Sequence, residues 1–192
     1  VRGNEKVIRA RLSDARFFFE EDQKIPLDRR VEDLKKVVYH RLLGTSYEKV
    51  MRFRSLAAYL AGRIDPSLAE TVDRAALLAK ADLDTLMVGE FSELQGIMGA
   101  HYAVADGEPA VVAQAIREHY LPRGAGDALP ESAPGTAVAL ADRLDTLAGI
   151  FAIGQKPTGT KDPFGLRRAA IGVLRILIEK RIDLDLRALI DT

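Results

Sequence analysis

The chain has 192 residues, of which 47% are hydrophobic, and this is enough to bury one good core with at most a small appendage. Lysine plus arginine equals aspartate plus glutamate at 28 each, so any nucleic-acid or membrane partner would need a local charged patch. The absence of cysteine excludes a disulfide framework and thiolate zinc sites, and no apolar run has the length of a membrane span.

Apolar residues recur at helical spacing almost throughout, which predicts an all-α fold of seven or eight helices. The first predicted helix covers residues 13–22, with Ser13 as its N-cap. It contains three consecutive aromatic residues, 17–19, which cannot all face one core, so we expect at least one to meet a neighbouring domain. The second predicted helix begins after an N-cap at Asp28 and ends at Gly44.

The middle of the chain continues the helical pattern. Further helices are predicted at residues 46–64, 67–83, 86–90, 91–102 and 109–120. Ser67 and Glu70 have the spacing of a capping box, and Pro109 is placed to open a helix. The stretch 121–135 is rich in glycine and proline and is predicted to be a loop. Two long apolar helices are predicted at 136–153 and 162–181, the second with Asp162 as N-cap.

The balanced total charge conceals an uneven distribution along the chain. Between residues 82 and 154 there are eleven acidic residues and three arginines, a net charge of −8. Between residues 155 and 181 seven basic residues oppose two acidic ones, a net charge of +5. The second segment is therefore the strongest basic feature of the sequence.

Five cations of this segment are the candidate phosphate contacts: Lys156, Lys161, Arg167, Arg168 and Arg175. The three arginines are spaced to project from a similar side of one helix, and the two lysines precede its N-terminus. Free backbone N–H groups at a helix N-terminus also attract anions. The alternative is that these cations are solvated, or pair with the acidic half of the chain.

Catalytic motifs are scarce. The three histidines, at positions 40, 101 and 119, lie too far apart for a zinc-binding pair on one helix face. The sequence lacks a GxSxG elbow, a GxxxxGK[ST] loop and a GxGxxG motif. No nucleophile and base can be paired from the sequence alone.

Several strings, in order along nearly the whole chain, resemble the β subunit of bacterial two-subunit glycyl-tRNA synthetase. They are GNEKVI at 3–8, RLSDARFF at 11–18, EED at 20–22, PL at 26–27, AKADL at 79–83, VGEF at 88–91, ELQGIMG at 93–99, HYLPR at 119–123, PTGTKDPF at 157–164 and LRRAA at 166–170. The resemblance implies part of an enzyme of two α and two β subunits, which uses ATP with magnesium to join glycine to its tRNA. In such enzymes the α subunit holds the catalytic core and the β subunit binds tRNA.

The matched region is expected to be an internal, HD-domain-like helical bundle of the β subunit. Residues 1–24 would lead in from the preceding body, 25–183 would form the bundle, and 184–192 would begin a linker to the C-terminal domains. The expected partners are glycine tRNA, the α subunit and the remaining β-subunit domains, in the cytoplasm and without a membrane. The chain alone is expected to be inactive and to bind no cofactor.

True HD phosphohydrolases hold a metal ion with histidines and aspartates, and the resemblance allows their positions to be sought here. No histidine occurs at 45–50 or at 75–82, where ligands are expected, and only Asp82 and Asp142 echo the pattern. Two carboxylates without imidazole are a poor transition-metal site. We therefore expect no metal and a salt-bridged cluster of Lys80, Asp82 and Asp142 instead. A purely structural interdomain module and a residual phosphohydrolase remain the alternatives.

Overall fold

The structure, a computed structural model, describes residues 2–187. Within this range the chain forms nine α-helices and one antiparallel hairpin, joined by short 3₁₀ turns. The elements are α1 (Arg2–Asp22), α2 (Leu27–Asp33), β1 (Val38–His40), β2 (Gly44–Thr45), α3 (Ser46–Ile64), α4 (Ala69–Leu78), α5 (Leu86–Glu90), α6 (Ile97–Ala105), α7 (Ala110–Glu118), α8 (Ala133–Ala152) and α9 (Leu166–Glu179). None of the helices in this described range is both long and apolar enough to cross a membrane.

Helix α8 is the centre of the core. All side chains at 134–141 are buried, so this half of the helix is enclosed on every side. Most of these residues are small, and they let neighbouring elements approach closely: a Cβ on Gly135 would collide with the carboxylate of Glu118. Helices α3, α4, α7 and α9 pack around α8, and Phe53, Leu78 and Ile116 are fully buried among them.

The start of α3 is specified by local hydrogen bonds. Gly44 begins β2, the second strand of the hairpin, with φ +86, a left-handed conformation that favours glycine. The backbone N–H of Thr45 donates to the Glu48 carboxylate at 2.6 Å, and the Glu48 N–H donates to Thr45 Oγ1 at 3.3 Å. This capping box satisfies two N–H groups that the first turn of the helix leaves free.

The predicted all-α class is confirmed, since helices make up nearly all of the regular structure. The structure has nine helices where seven or eight were expected, because several pieces are short. Helices predicted at 46–64 and 86–90 have those bounds in the structure. The HD-like label and the domain boundary at residue 24 stay predictions, and residues 188–192 of the predicted linker lie outside the described residues.

Several predicted helix boundaries were wrong. Helix α1 begins at Arg2 and not after Ser13, which therefore lies inside the helix. The helix predicted from Asp28 to Gly44 ends at Asp33 and gives way to the hairpin. Its apolar residues Val37 and Val38 are β-branched and favour extended backbone.

One predicted cap and one predicted helix start were also wrong. The predicted capping box of Ser67 and Glu70 does not form, because Asp65 accepts the Ser67 N–H at 2.9 Å and opens a 3₁₀ turn before α4. Helix α8 begins at Ala133 and not at Thr136, because Ser132 is its N-cap and Pro134 fits the first turn.

Asp22 joins the end of α1 to the rest of the bundle. Its buried carboxylate accepts the N–H groups of Leu86 and Met87 at 2.8 and 2.9 Å and the Tyr102 hydroxyl at 2.9 Å. Arg30 lies 3.5 Å from the same carboxylate. This one side chain therefore caps α5 and connects α1, α2 and α6.

We predict that Asp22→Ala lowers the free energy of unfolding by roughly 3 kcal/mol or more, because it leaves buried donors without an acceptor. Asp14→Ala, at an exposed position of the same helix, should change it by less than about 0.5 kcal/mol. Urea unfolding of the two variants and the parent chain measures both values. Equal effects would show that the Asp22 contacts contribute nothing to stability.

Candidate nucleic-acid interface and buried charge cluster

The loop between α8 and α9 presents two of the candidate cations to solvent. Thr158 and Lys161 exchange backbone hydrogen bonds of 3.1 and 2.9 Å across a tight turn. Gly159 lies in this turn with φ +52, a conformation that favours glycine. Lys156, just before this turn, and Lys161, within it, are both exposed, so this loop presents two ammonium groups to solvent.

The N-terminus of α9 is already occupied by a carboxylate. Asp162 accepts the N–H groups of Leu166 and Arg167 at 2.8 and 2.9 Å, and these backbone hydrogen bonds lower the pKa of Asp162. The helix starts at Leu166 after Gly165, so the predicted N-cap position of Asp162 and helical start at Pro163 were wrong. Asp162 accepts two of the N–H groups that this helix N-terminus could offer to an anion, so the phosphate contact there stays a prediction that rests on the side-chain cations.

The three arginines of α9 have different surroundings. Arg167 and Arg168 are exposed, and Arg168 folds back toward the loop, where its guanidinium would lie 3.1 Å from a Cβ on Gly165. Arg175 forms an ion pair with Glu179 at 2.7 Å and donates to the carbonyl of Asp127 at 3.0 Å. Its guanidinium is thus engaged within the chain, while Arg167 and Arg168 remain available.

We define the basic surface as Lys156, Lys161, Arg167 and Arg168. The ion pairs within the described residues involve none of these four side chains. The acidic half of the chain therefore does not neutralise the surface by direct pairing.

A second charged site lies inside the bundle. Lys49 Nζ is 2.8 Å from Asp142 Oδ1 and 2.9 Å from Asp145 Oδ2, and Lys80 Nζ is 2.8 Å from Asp142 Oδ2. We call these four residues the buried charge cluster. Lys80 also lies over the ring of Tyr120, with its ammonium 3.9 Å from the ring centre.

The electrostatics of the cluster favour the charged form of Asp142. Burial alone would raise the pKa of Asp142, but the ammonium groups of Lys49 and Lys80 hold it well below its usual value. Burial lowers the pKa of Lys80, and its attraction to Asp142 offsets this only in part. The carboxylate is thus the charge on which both lysines depend.

Asp82 lies close to the cluster without forming an ion pair in it. Its Oδ2 accepts the N–H groups of Gly96 and Gly99 at 2.6 and 3.0 Å, where α6 begins. Burial raises the pKa of Asp82 to about 6. The predicted pairing of Lys80 with Asp142 is confirmed, whereas the predicted inclusion of Asp82 as a salt-bridge partner was wrong, because Asp82 binds backbone instead.

The donor set of the cluster does not fit a divalent metal. The segments 45–50, 75–82 and 141–145, where metal ligands were sought, do meet here, but two of them contribute lysine. A protonated ammonium has no lone pair to donate and repels a cation. Among the described residues, no group of three or more histidine, aspartate and glutamate side chains is arranged to hold a metal ion.

Comparison with known proteins places the whole sequence in one family. The profile of the family described as glycyl-tRNA synthetase beta subunit matches residues 1–192. The chain belongs to this family. It is 64% identical to the glycine--tRNA ligase beta subunit of Syntrophus aciditrophicus, 58% to that of Trichlorobacter lovleyi and 61% to that of Aromatoleum aromaticum. These alignments cover 99–100% of this chain and 27–28% of the relatives, so the chain spans little more than a quarter of their length.

Three residues that shape the buried charge cluster and the surroundings of the basic surface were not predicted from the sequence of this family member. Lys49 gave a signal, because a lysine beside Val50 on the buried stripe of α3 needs a partner. Arg143 donates to three backbone carbonyls around the turn after α7 and to the carbonyl of Ala139 in its own helix, which no sequence pattern indicated. His40 lies against the α8–α9 loop, which is distant from it in sequence.

We predict that Asp142→Asn lowers the free energy of unfolding by about 3–5 kcal/mol, because the buried Lys80 ammonium loses the carboxylate with which it pairs and Lys49 keeps only Asp145. Adding Lys80→Met should recover part of this loss, since one uncompensated charge is then removed. Glu32→Gln, which breaks an exposed pair with Lys35, should cost less than about 1 kcal/mol. Denaturant unfolding measures all four proteins, and a loss for Asp142→Asn no larger than that of Glu32→Gln would contradict the coupling.

The raised pKa of Asp82 predicts that the free energy of unfolding depends on pH. Its folded pKa of about 6 lies above the ordinary value of 3.8, so the folded state binds its proton more tightly than the unfolded state. The resulting stabilisation is present below about pH 4 and is lost as the pH rises to about 6, at about 1.4 kcal/mol per pH unit. Asp82→Asn should remove this fall across pH 4–6, measured by urea unfolding at each pH. Parallel pH profiles for the two proteins would refute it.

Proposed function

We propose that this chain is a non-catalytic tRNA-binding and scaffolding domain of a glycine–tRNA ligase β subunit. In this proposal it supports the attachment of glycine to its tRNA, which the α subunit carries out with ATP and magnesium, in the cytoplasm. The observation that carries the proposal is the basic surface, whose four cations form no ion pair within the described residues. Family membership supports the choice of tRNA as the polyanion.

In this proposal the basic surface positions the tRNA. Lysine and arginine contacts to phosphates release counterions and fix the register of the RNA without reading its sequence. Lys161 lies in the hydrogen-bonded turn, Lys156 precedes it in the same loop, and Arg168 folds back toward Gly165, so the four charges are presented from the N-terminal end of α9. Arg175 remains a weaker candidate because Glu179 already neutralises it. Correct placement of the tRNA would raise the rate of transfer at the α subunit.

A second candidate role is a structural interdomain module. The outer face of α9 exposes Ile171, Leu174 and Ile178 by 51%, 49% and 72%, directly beyond Arg167 and Arg168. An exposed apolar stripe of this kind is typical of a protein contact. In that case the basic surface would serve assembly of the β subunit instead of tRNA binding.

We predict that Arg167→Ala with Arg168→Ala in the full enzyme raises the KM for tRNA and leaves adenylate formation intact. Loss of one or two phosphate contacts should lower the slope of log affinity against log salt by about 1–2. Arg117→Ala, at an exposed position of α7, is the matched control and should change neither quantity. Steady-state kinetics over a salt series and sedimentation of the α–β complex give the readouts.

An unchanged KM with weakened α–β or interdomain assembly would favour the structural module. If the KM for tRNA and the assembly are both unchanged, the basic surface serves neither tRNA binding nor assembly.

A further inference from the structure

A small cavity adjoins the basic surface. It has a volume of about 220 Å³ and is lined by residues 154–157, 162–164 and Leu166. Lys156 contributes a cation to its wall, and Phe164 contributes an aromatic ring that is 36% exposed. The partly exposed ring beside this cation offers a planar face that a flat ligand group can cover.

The hairpin supports the aromatic wall. His40 at the end of β1 meets Phe164 edge to face, with the ring centres 5.5 Å apart and the planes at 71°. The N–H of Leu42 donates to His40 Nδ1 at 3.1 Å, and the other ring nitrogen lies 3.4 Å from the side-chain amide of Gln155. His40 is therefore fixed from two sides, and it holds the edge of Phe164 while leaving the ring exposed.

The cavity is lined by one cation, Lys156, and one carboxylate, Asp162. Asp162 belongs to the lining, and its carboxylate faces the N–H groups that open α9. An anion inside the cavity would meet this carboxylate, whereas a neutral ring with N–H donors would not be repelled. The anionic part of a ligand is thus favoured at Lys156, and an uncharged planar part is favoured against Phe164.

We propose that this cavity binds one unpaired nucleotide of the bound RNA, with its base against Phe164 and its phosphate at Lys156. Aromatic side chains in a basic setting are the usual platform for unpaired bases, since every base offers a planar face. The inference rests on the proposed tRNA-binding function, and it adds a stacking contact that phosphate binding alone does not require.

The test uses the full-length β subunit in complex with its α subunit, and glycine tRNA as the probe. Phe164→Leu keeps apolar volume and removes the aromatic face, so it should weaken tRNA binding about tenfold with an unchanged salt slope. Phe164→Trp should keep the affinity, and its added fluorescence should be quenched when tRNA binds. Val104→Ala, which removes apolar surface at an exposed position of α6, is the control and should behave as the parent enzyme.

The two proposals fail in different ways. If Phe164→Leu binds as the parent does while the Arg167, Arg168 double variant loses salt-dependent binding, the tRNA contact stands and the nucleotide pocket is overturned. If Phe164→Leu impairs assembly of the subunits without changing tRNA affinity, the cavity receives a protein segment and the inference is overturned. If neither the double variant nor Phe164→Leu alters tRNA binding, both proposals are overturned. If Phe164→Leu folds poorly, the fluorescence of Phe164→Trp tests the nucleotide pocket independently: quenching by tRNA supports it, and unchanged fluorescence overturns it.

Discussion

The carboxylate of Asp142 lies 2.8 Å from two lysine ammonium groups that come from different parts of the chain. Lys49 comes from α3 and Lys80 from the end of α4, so one side chain of α8 connects three helices. Separating these charges inside the bundle would leave at least one of them buried without a partner, and this fixes the arrangement more strictly than apolar packing alone. The α8–α9 loop follows the same helix, so the basic surface is carried on a scaffold that this cluster aligns.

The cluster also explains why the chemistry of this domain lies at its surface. Three segments that could supply metal ligands converge in the interior, yet they bring two fixed positive charges, and Asp82 next to them is engaged by backbone N–H groups. Within residues 2–187, the side chains at this point of the interior do not suit a divalent ion. Exposed cations, an exposed aromatic ring and a small cavity occur together at the other end of α8, around residues 154–168. These are the groups on which the proposed binding role rests.

The sequence predicted those elements whose apolar periodicity and turn residues are pronounced. Periodicity and turn residues placed α3 and α5 correctly, and the charge count placed the basic segment. The hairpin was missed because Val37 and Val38 fit a helical stripe as well as a strand, and the left-handed turn at Gly44 decides between them. The start of α9 was predicted three residues too early. The side chain of Asp162 does accept N–H groups of the first turn, but the helix begins at Leu166. The contact between His40 and Phe164 joins distant parts of the chain, so no local pattern could predict it.

The central claim is that the basic surface contacts tRNA in the assembled enzyme. Its most direct test is a photoreactive amino acid placed at position 161 of the full-length β subunit, with position 117 as the comparison, in the presence of α subunit and glycine tRNA. Both positions are exposed, so labelling efficiency is comparable. The account predicts a crosslink from position 161 to tRNA, weakened by added salt, and little or none from position 117. Crosslinks from position 161 to protein alone would contradict the account and assign the surface to assembly of the β subunit.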